Sequence, residues 1–170
     1  LPLPKVIDRN ADSLPVVRSL NALKVACYYG CLSVRPKEIA EADSVENPQI
    51  IDRLMKLVGA EPVDWAFKTE CCGASMPFPR PDMVVKLAHK ILANAKGNGA
   101  ECLVVACPMC HANLDMRQRE IEAKYRDEVG LPVIYFTQLL ALAAGIPASK
   151  LLFEKHFTDP MPLLREKGLA

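Results

Sequence analysis

Five cysteines in this chain have neighbours and spacing that suit metal and redox chemistry. They are Cys31, the adjacent pair Cys71 and Cys72, and the CxxC pair Cys107 and Cys110. Adjacent cysteines rarely form a disulfide with each other, because the shared peptide strains the bond. Thiolates are soft ligands for zinc and iron, and they also react by thiol–disulfide exchange. The pattern therefore predicts a metal site, a redox site or both.

The composition describes a chain that does not need disulfides to fold. It has 170 residues, of which 51% are hydrophobic, so a packed core of ordinary size is expected. Seven cysteines are then unusually many, and in a reducing cytoplasm such a set is typical of metal-binding or catalytic sites. The formal charge of +1 argues against nucleic-acid binding, and no apolar stretch approaches the length of a membrane helix.

The ends of the chain carry weaker signals. The chain begins with Leu1, and residues 1–24 lack the pattern of a signal peptide. A cleaved signal and a missing preceding domain both stay open at this point. We expect residues 1–23 to be an extension or a linker from a missing preceding domain, residues 24–146 to form the domain that carries the five cysteines, and residues 147–170 to form a helix and a tail.

Strands and helices alternate along the chain. Apolar runs predict strands at residues 24–29, 61–67, 101–106 and 131–136. Helical spacing and caps predict helices after Pro36, at 49–59, from Asp82 to about Gly97, at 112–129 and at 137–144. The expected fold class is α/β, with a Rossmann-like open parallel sheet of about four strands and helices on both faces.

The five cysteines follow the carboxyl ends of three predicted strands. Cys31 follows the first strand, Cys71 and Cys72 follow the second, and Cys107 and Cys110 follow the third. Ligands of open parallel sheets bind beyond this edge, so the topology predicts that the five thiols converge. Cys27 and Cys102 instead lie inside strands, where cysteine is usually a small buried hydrophobe.

The neighbours of the thiols have expected roles as well. Gly30 and Gly73 allow close approach of the backbone, and Met76 and Phe78 are candidates for excluding water. Prolines are expected to rule out regular structure around the thiols; they are Pro77, Pro79, Pro81 and Pro108. Lys68 and Arg80 can offset thiolate charge, although a solvated loop position is the commoner outcome for such residues. His89 and His156 are expected to be surface or partner-facing residues.

The motif resembles a known family. Cys31, the Cys71-Cys72-Gly73 triplet and Cys107-Pro108-Met109-Cys110 are similar to the cysteine-rich CCG domain found in the B-type subunit of heterodisulfide reductase. The segments 28–31 and 107–115 resemble the second, C-terminal CCG copy of that protein. The resemblance extends from about residue 24 to residue 145.

The resemblance implies a cofactor and a function. In that family each CCG domain binds a 4Fe–4S cluster of noncubane type through all five cysteines, which here are Cys31, Cys71, Cys72, Cys107 and Cys110. The B-type subunit of that family carries two CCG domains and therefore two clusters. A disulfide substrate binds between them and is cleaved there. The expected function is therefore an iron–sulfur oxidoreductase subunit, or a fragment of one, that couples electron transfer to thiol–disulfide chemistry.

The resemblance also implies partners. They are subunits of the iron–sulfur C type and the flavin A type, a second CCG domain in the same chain or another, and a small disulfide or thiol. Only one motif is present, so the second domain is absent or supplied elsewhere. Leu32 stands where methane-forming relatives often have His, which affects the proton donor and the substrate rather than the cluster. The expected location is cytoplasmic, without a membrane span.

Other sites remain possible from the cysteines alone. A zinc site needs four thiolates, one fewer than the pattern offers. Cys107, Cys110 and His111 match the CxxCH motif of a c-type haem, but that leaves the other three cysteines unexplained. A thioredoxin-type CxxC would follow the first strand, not the third. A non-catalytic electron carrier or zinc-binding scaffold is the alternative to an enzyme.

Overall fold

A parallel sheet of four strands forms the centre of the protein, which a computed structural model describes for residues 3–170. The strands are β1 (Lys24–Tyr28), β2 (Glu61–Pro62), β3 (Cys102–Val105) and β4 (Val133–Tyr135). Their order is β2-β1-β3-β4, and every neighbouring pair is parallel. The predicted α/β fold class is confirmed.

Helices cover both faces of the sheet. They are α1 (Leu3–Asp8), α2 (Lys37–Ala40), α3 (Ile50–Leu57), α4 (Pro81–Gly97), α5 (Pro108–Met116), α6 (Gln118–Tyr125), α7 (Phe136–Ala143) and α8 (Met161–Glu166), with short 3-10 turns at Ala11–Ser13, Ala148–Lys150 and Phe153–Lys155. Alternate residues of β1 point to opposite faces. Val25 and Cys27 join the core formed with α3 and α7, whereas Ala26 and Tyr28 join the core formed with α4, α5 and α6.

The second strand is much shorter than predicted. β2 ends at Pro62, and the chain then runs through turns without helix or strand until α4 begins at Pro81. The alternating apolar pattern at residues 61–67 belongs mostly to a buried turn instead of a strand. Trp65 in this turn is buried, and its indole Nε1 donates to the Cys27 carbonyl over 3.2 Å. A turn closed by a side chain replaces the expected strand.

Two prolines begin helices next to the cysteines. Pro81 opens α4, and Pro108 opens α5 directly after Cys107. Proline suits the first turn of a helix, because the missing N–H has no partner inside the helix. The expectation that these prolines exclude regular structure was therefore wrong for Pro81 and Pro108. The helix predicted at 112–129 is two helices, α5 and α6.

Both ends of the described chain pack on the sheet. Leu20 and Leu23 are fully buried before β1, and Phe153 and Leu164 are buried after β4. The Asn21 side-chain amide donates to the Lys167 carbonyl over 2.7 Å, which joins the two ends. Among the helices of residues 3–170, none is long and apolar enough to span a membrane.

Candidate metal centre at the carboxyl edge of the sheet

The five cysteines singled out by the sequence lie along one edge of the sheet. Cys31 follows β1, Cys71 and Cys72 lie between β2 and α4, and Cys107 and Cys110 lie at the start of α5 after β3. All seven cysteines are free thiols. Cys72 and Cys110 are buried, Cys31 and Cys107 are half-buried, and Cys71 is exposed. The site therefore has a buried floor and an open side.

The floor of the site is a close pair of sulfurs. The Sγ atoms of Cys72 and Cys110 are 3.5 Å apart. The Asn113 amide, one turn further along α5, donates to the Cys72 carbonyl over 3.1 Å. The Gly73 N–H lies 3.3 Å from Cys71 Sγ. The Asn113 amide also lies 3.9 Å from Cys72 Sγ, so backbone and amide donors face two of the thiols, as expected for a site that carries negative charge.

The thiols are close enough to perturb one another. A hydrogen bond from Cys110 lowers the pKa of Cys72 to about 7, against the opposing effect of burial. The same hydrogen bond, with burial and the nearby Cys107, raises the pKa of Cys110. Burial and the neighbouring Cys71 raise the pKa of Cys31. Cys31 is thus near Cys71 and Cys72, and Cys110 is near Cys72 and Cys107, so the three loops meet at this edge of the sheet.

Tyr28 lies under this group of thiols. Burial raises the pKa of Tyr28, and the nearby thiols, Cys72 first, raise it further. Its hydroxyl donates to the Glu70 carbonyl over 2.6 Å. The last residue of β1 thereby fixes the backbone immediately before Cys71.

Gly30 is required by close packing against the site. Its φ of +69° is a conformation that side chains disfavour, and a Cβ at this position would lie 2.9 Å from Cys110 Sγ. The backbone before Cys31 therefore sits directly on the sulfur of Cys110. This contact joins the first loop to the third.

A buried ion pair lies behind the site. Lys68 Nζ is 2.8 Å from Asp52 Oδ1, and both side chains are 4% exposed. The Tyr29 hydroxyl donates to Asp52 Oδ2 over 2.6 Å. A solvated position was the commoner expectation for Lys68, and that expectation was wrong. The signal missed was Asp52, a lone acid at a buried position of α3.

The open side of the site carries apolar side chains. Leu32 and Phe78 are 77% and 95% exposed, and Met76 and Met109 are also exposed. Met76 and Phe78 do not shield the thiols within this chain, contrary to expectation. Arg80 is solvated and pairs with Asp82 over 3.0 Å.

Cys27 and Cys102 lie inside β1 and β3 and are fully buried. Burial is the main cause that raises the pKa of each thiol. Both join the core on the face of α3 and α7. Their environment is that of small buried hydrophobes.

Three further polar side chains meet beside α5. His111 Nε2 and His156 Nδ1 lie 3.0 Å and 2.9 Å from the Val133 carbonyl. The Asp115 carboxylate accepts from the Phe157 and Thr158 amides over 2.7 Å and 3.0 Å. The backbone of β4 and of residues 157 and 158 thus satisfies these side chains, and the arrangement fixes the segment before α8.

The two histidines expected at surface or partner-facing positions are both half-buried. His156 is half-buried between Gln138 and the Val133 carbonyl, and His89 stacks on Tyr125 and lies 2.7 Å from Asp127. His111 also stacks on Tyr135 with ring centroids 4.3 Å apart. With Nε2 turned to a backbone carbonyl, His111 is poorly placed to serve as the axial ligand of a haem.

The donor set suits a polynuclear centre better than a single ion. Zinc in structural sites takes four ligands in tetrahedral geometry, whereas five thiols face this edge. Iron–sulfur clusters are held by cysteine thiolates and are tuned by nearby donors and burial. The close approach that Gly30 permits and the donors around Cys71 and Cys72 fit that chemistry.

Comparison with known proteins agrees with the cysteine pattern. A sequence profile of the CCG family, described as a cysteine-rich domain, matches residues 25–115. This range holds all but the first residue of β1, all of β2 and β3, and all five cysteines of the edge. The match covers more than half of the chain.

Several curated proteins are similar over most of the chain. The 8-methylmenaquinol:fumarate reductase membrane anchor subunit of Wolinella succinogenes is 32% identical over 160 residues, 93% of this chain and 56% of that protein. The B-type subunits of CoB-CoM heterodisulfide reductases from Methanosarcina acetivorans (ferredoxin/F420H2-dependent) and Methanosarcina mazei (ferredoxin-dependent) are each 34% identical, over 79% and 84% of this chain and 45% and 48% of theirs. The chain thus spans about half the length of the curated relatives it matches.

Proposed function

Because the chain belongs to the CCG cysteine-rich domain family, we propose that it is an iron–sulfur redox subunit, or part of one, of a heterodisulfide reductase-like complex. The observation that carries this proposal is the convergence of thiols from three loops on one edge of the sheet. Within that neighbourhood the Sγ atoms of Cys72 and Cys110 are 3.5 Å apart. Relatives named as B-type subunits of heterodisulfide reductases support the assignment.

The proposed ligands are the five thiols of the edge: Cys31, Cys71, Cys72, Cys107 and Cys110. They would hold one 4Fe–4S cluster, and the family resemblance favours the noncubane type. When bound, such a cluster supplies one-electron transfer at a site where sulfur of a disulfide can be taken up. A structural zinc ion in a non-catalytic module is the alternative cofactor.

Different residues of this chain would have different roles around that site. Cys72 and Cys110 form the buried floor, where Tyr28 and Asn113 supply a rigid and partly apolar wall. Cys71 is exposed, so its loop faces the side from which a disulfide would approach. Backbone N–H groups such as that of Gly73 stabilise negative charge on sulfur.

The proposal includes a larger assembly. The apolar side chains Leu32, Met76, Phe78 and Met109 around the open side support docking of another protein surface, which we assign to a second CCG domain in the same or another chain. Subunits of the iron–sulfur C type and flavin A type would deliver electrons.

Residues 1–23 would connect to a preceding domain, residues 24–146 would carry the cluster and residues 147–170 would complete the fold. A reducing, cytoplasmic location suits a set of free thiols.

A quinol is a second candidate for the redox partner. The Wolinella relative, whose name includes 8-methylmenaquinol and fumarate, matches 93% of this chain. An apolar edge around the thiols can contact a quinone ring as well as a protein. The substrate therefore has to be distinguished by experiment.

The test uses anaerobically purified protein whose bound iron and zinc are measured first. The reduced protein is then mixed with a small disulfide or with a soluble menaquinone analogue, and its reoxidation is followed together with thiol formation. Formation of two thiols for each disulfide consumed and each two reduced clusters oxidised supports the proposed function, whereas reoxidation only by the quinone favours the second candidate. Protein that contains zinc and no iron would contradict both.

A further inference from the structure

The turn before Cys71 is bonded to the end of β1 at several points. The Tyr29 and Gly30 amides donate to the Lys68 carbonyl over 2.8 Å and 3.1 Å. On the other face of β1, the Tyr28 hydroxyl donates to the Glu70 carbonyl. Gly30 directly precedes Cys31, and Glu70 directly precedes Cys71. The backbone positions of both cysteines thus depend on the same turn.

The side chain of Lys68 holds this turn in place through a buried ion pair. Its ammonium pairs with Asp52 over 2.8 Å at a position 4% exposed. A charge removed from water is costly unless it is paired, so the carboxylate holds the ammonium in one place. Lys68 therefore cannot shift without breaking a buried ion pair.

Tyr29 and helix α3 complete the support. The Tyr29 hydroxyl donates to Asp52 Oδ2 over 2.6 Å and accepts from the Ile51 amide over 2.8 Å. Tyr29 is also the residue whose own amide bonds to Lys68. The end of β1, the start of α3 and the turn at Lys68 are joined into one buried network.

Building on the proposed function, we propose that Lys68 is a positioning residue that sets Cys31 and Cys71 in register for a shared cluster. Its carbonyl holds the peptide before Cys31, and its ammonium, through Asp52, holds the turn that leads to Cys71. Lys68 touches neither thiol in this arrangement and acts through the backbone. It is therefore not a catalytic residue, and its effect should appear in how firmly iron is held.

The test compares three variants with the unmodified protein, all carrying the cluster. Lys68→Met removes the ammonium and leaves Asp52 unpaired. The double variant Lys68→Met/Asp52→Leu replaces the ion pair by apolar groups, which often restores stability. Lys56→Met is the matched control, because Lys56 is an exposed lysine of α3, one turn after Asp52, that lines the same cavity but takes no part in the ion pair or its hydrogen bonds. Iron release to a chelator under argon, the electron paramagnetic resonance spectrum and the thermal midpoint are measured for each.

We expect iron release from Lys68→Met to be about tenfold faster, the scale found for residues that support metal ligands. The double variant should recover its thermal midpoint and still release iron quickly, with an altered resonance spectrum. Lys56→Met should match the unmodified protein in every measurement. If Lys68→Met fails to fold, the double variant decides the question.

Two results would overturn the inference in distinguishable ways. Unmodified rates of iron release and an unchanged spectrum in the folded double variant would mean that Lys68 contributes only to stability, while the proposed function stands. Absence of iron from the unmodified protein would remove the proposed function, and the inference with it.

Discussion

Cys72 and Cys110 come from separate loops, and their Sγ atoms lie 3.5 Å apart. Cys72 follows a long turn after β2, and Cys110 lies in the first turn of α5 after β3. Neither loop alone could form a site with two buried sulfurs. The parallel order of β1 and β3, with β2 at the edge, brings these loops together. The candidate metal centre is thus a consequence of topology.

Replacing single proposed ligands should remove the proposed cluster. We expect Cys71→Ser and Cys107→Ser to lose most of the bound iron and the redox activity together, because a hydroxyl is a poor ligand for a soft iron–sulfur centre. Iron per chain, measured after anaerobic purification, checks this prediction. Full iron occupancy in either variant would count strongly against these ligands.

Cys27 and Cys102 provide the matched controls for those variants. Both are buried in strands on the opposite core face from Cys72 and Cys110. Cys27→Ser and Cys102→Ser should keep their iron and lose about 1–3 kcal/mol of unfolding free energy, the usual cost of burying a hydroxyl without a good partner. Denaturant unfolding and iron analysis of the same samples separate the two effects.

Gly30 offers a test of the contact between the first and third loops. In Gly30→Ala the new Cβ would meet Cys110 Sγ at 2.9 Å, so we expect displaced sulfur and lower iron content. Gly99→Ala is the control, since its φ of +84° is equally unfavourable but nothing lies within 4 Å of its Cβ. Both variants should lose about 1 kcal/mol from backbone strain. Equal iron in the two would argue against the close approach.

Cys72 should titrate early in cluster-free protein. The hydrogen bond from Cys110 lowers its pKa to about 7, so a thiolate should appear in ultraviolet absorbance as the pH rises through 7. The stability gained from this bond is present above the ordinary thiol pKa and is lost as the pH falls through about 7.

Removing the donor should reverse that shift. In Cys110→Ala the pKa of Cys72 should rise toward its ordinary value, whereas Cys102→Ala should leave the early titration unchanged. An unmodified cluster-free protein that shows no thiolate until well above pH 8 would contradict the predicted hydrogen bond.

The placement of the cysteines could be predicted from the sequence for a simple reason. Apolar runs identified β1 and β3, and Cys31 and Cys107 come within a few residues of their ends. Parallel strands then require their carboxyl ends to share an edge. The prediction needed no knowledge of side-chain packing, and even the wrong length of β2 left Cys71 and Cys72 on the correct side.

The supporting contacts could not be predicted in that way. From its local sequence Lys68 is expected in a solvated loop. Its burial depends instead on the ion pair with Asp52 of α3, which is not a neighbour in sequence. The local sequence of His156 likewise gives no sign of its two hydrogen-bond partners, Gln138 and the Val133 carbonyl, which hold it in place. Such pairs are decided by tertiary packing, which local periodicity does not report.

The hydrogen bonds of the buried Asp115 carboxylate can be tested by substitution. Its carboxylate accepts two backbone hydrogen bonds from Phe157 and Thr158, and it is 1% exposed. Asp115→Ala should lower the unfolding free energy by about 2–3 kcal/mol, because hydrogen bonds to a charged group are strong. Hydrogen exchange at residues 157 and 158 should become faster.

Asp159 is the control for that variant. It is exposed and accepts one bond, from the Met161 amide over 2.9 Å. Asp159→Ala should cost no more than about 1 kcal/mol, in the range of an ordinary helix-cap contact. Equal losses in the two variants would show that the buried carboxylate has no special role.

The metal content of the unmodified protein, purified without oxygen and examined by electron paramagnetic resonance, tests the proposed cluster most directly. A cluster held by the five thiols predicts a brown protein with about four irons per chain, as a 4Fe–4S cluster requires, and with resonance signals that disappear in the Cys71→Ser variant. A colourless protein that holds a single zinc ion, or thiols joined to one another without metal, would contradict it.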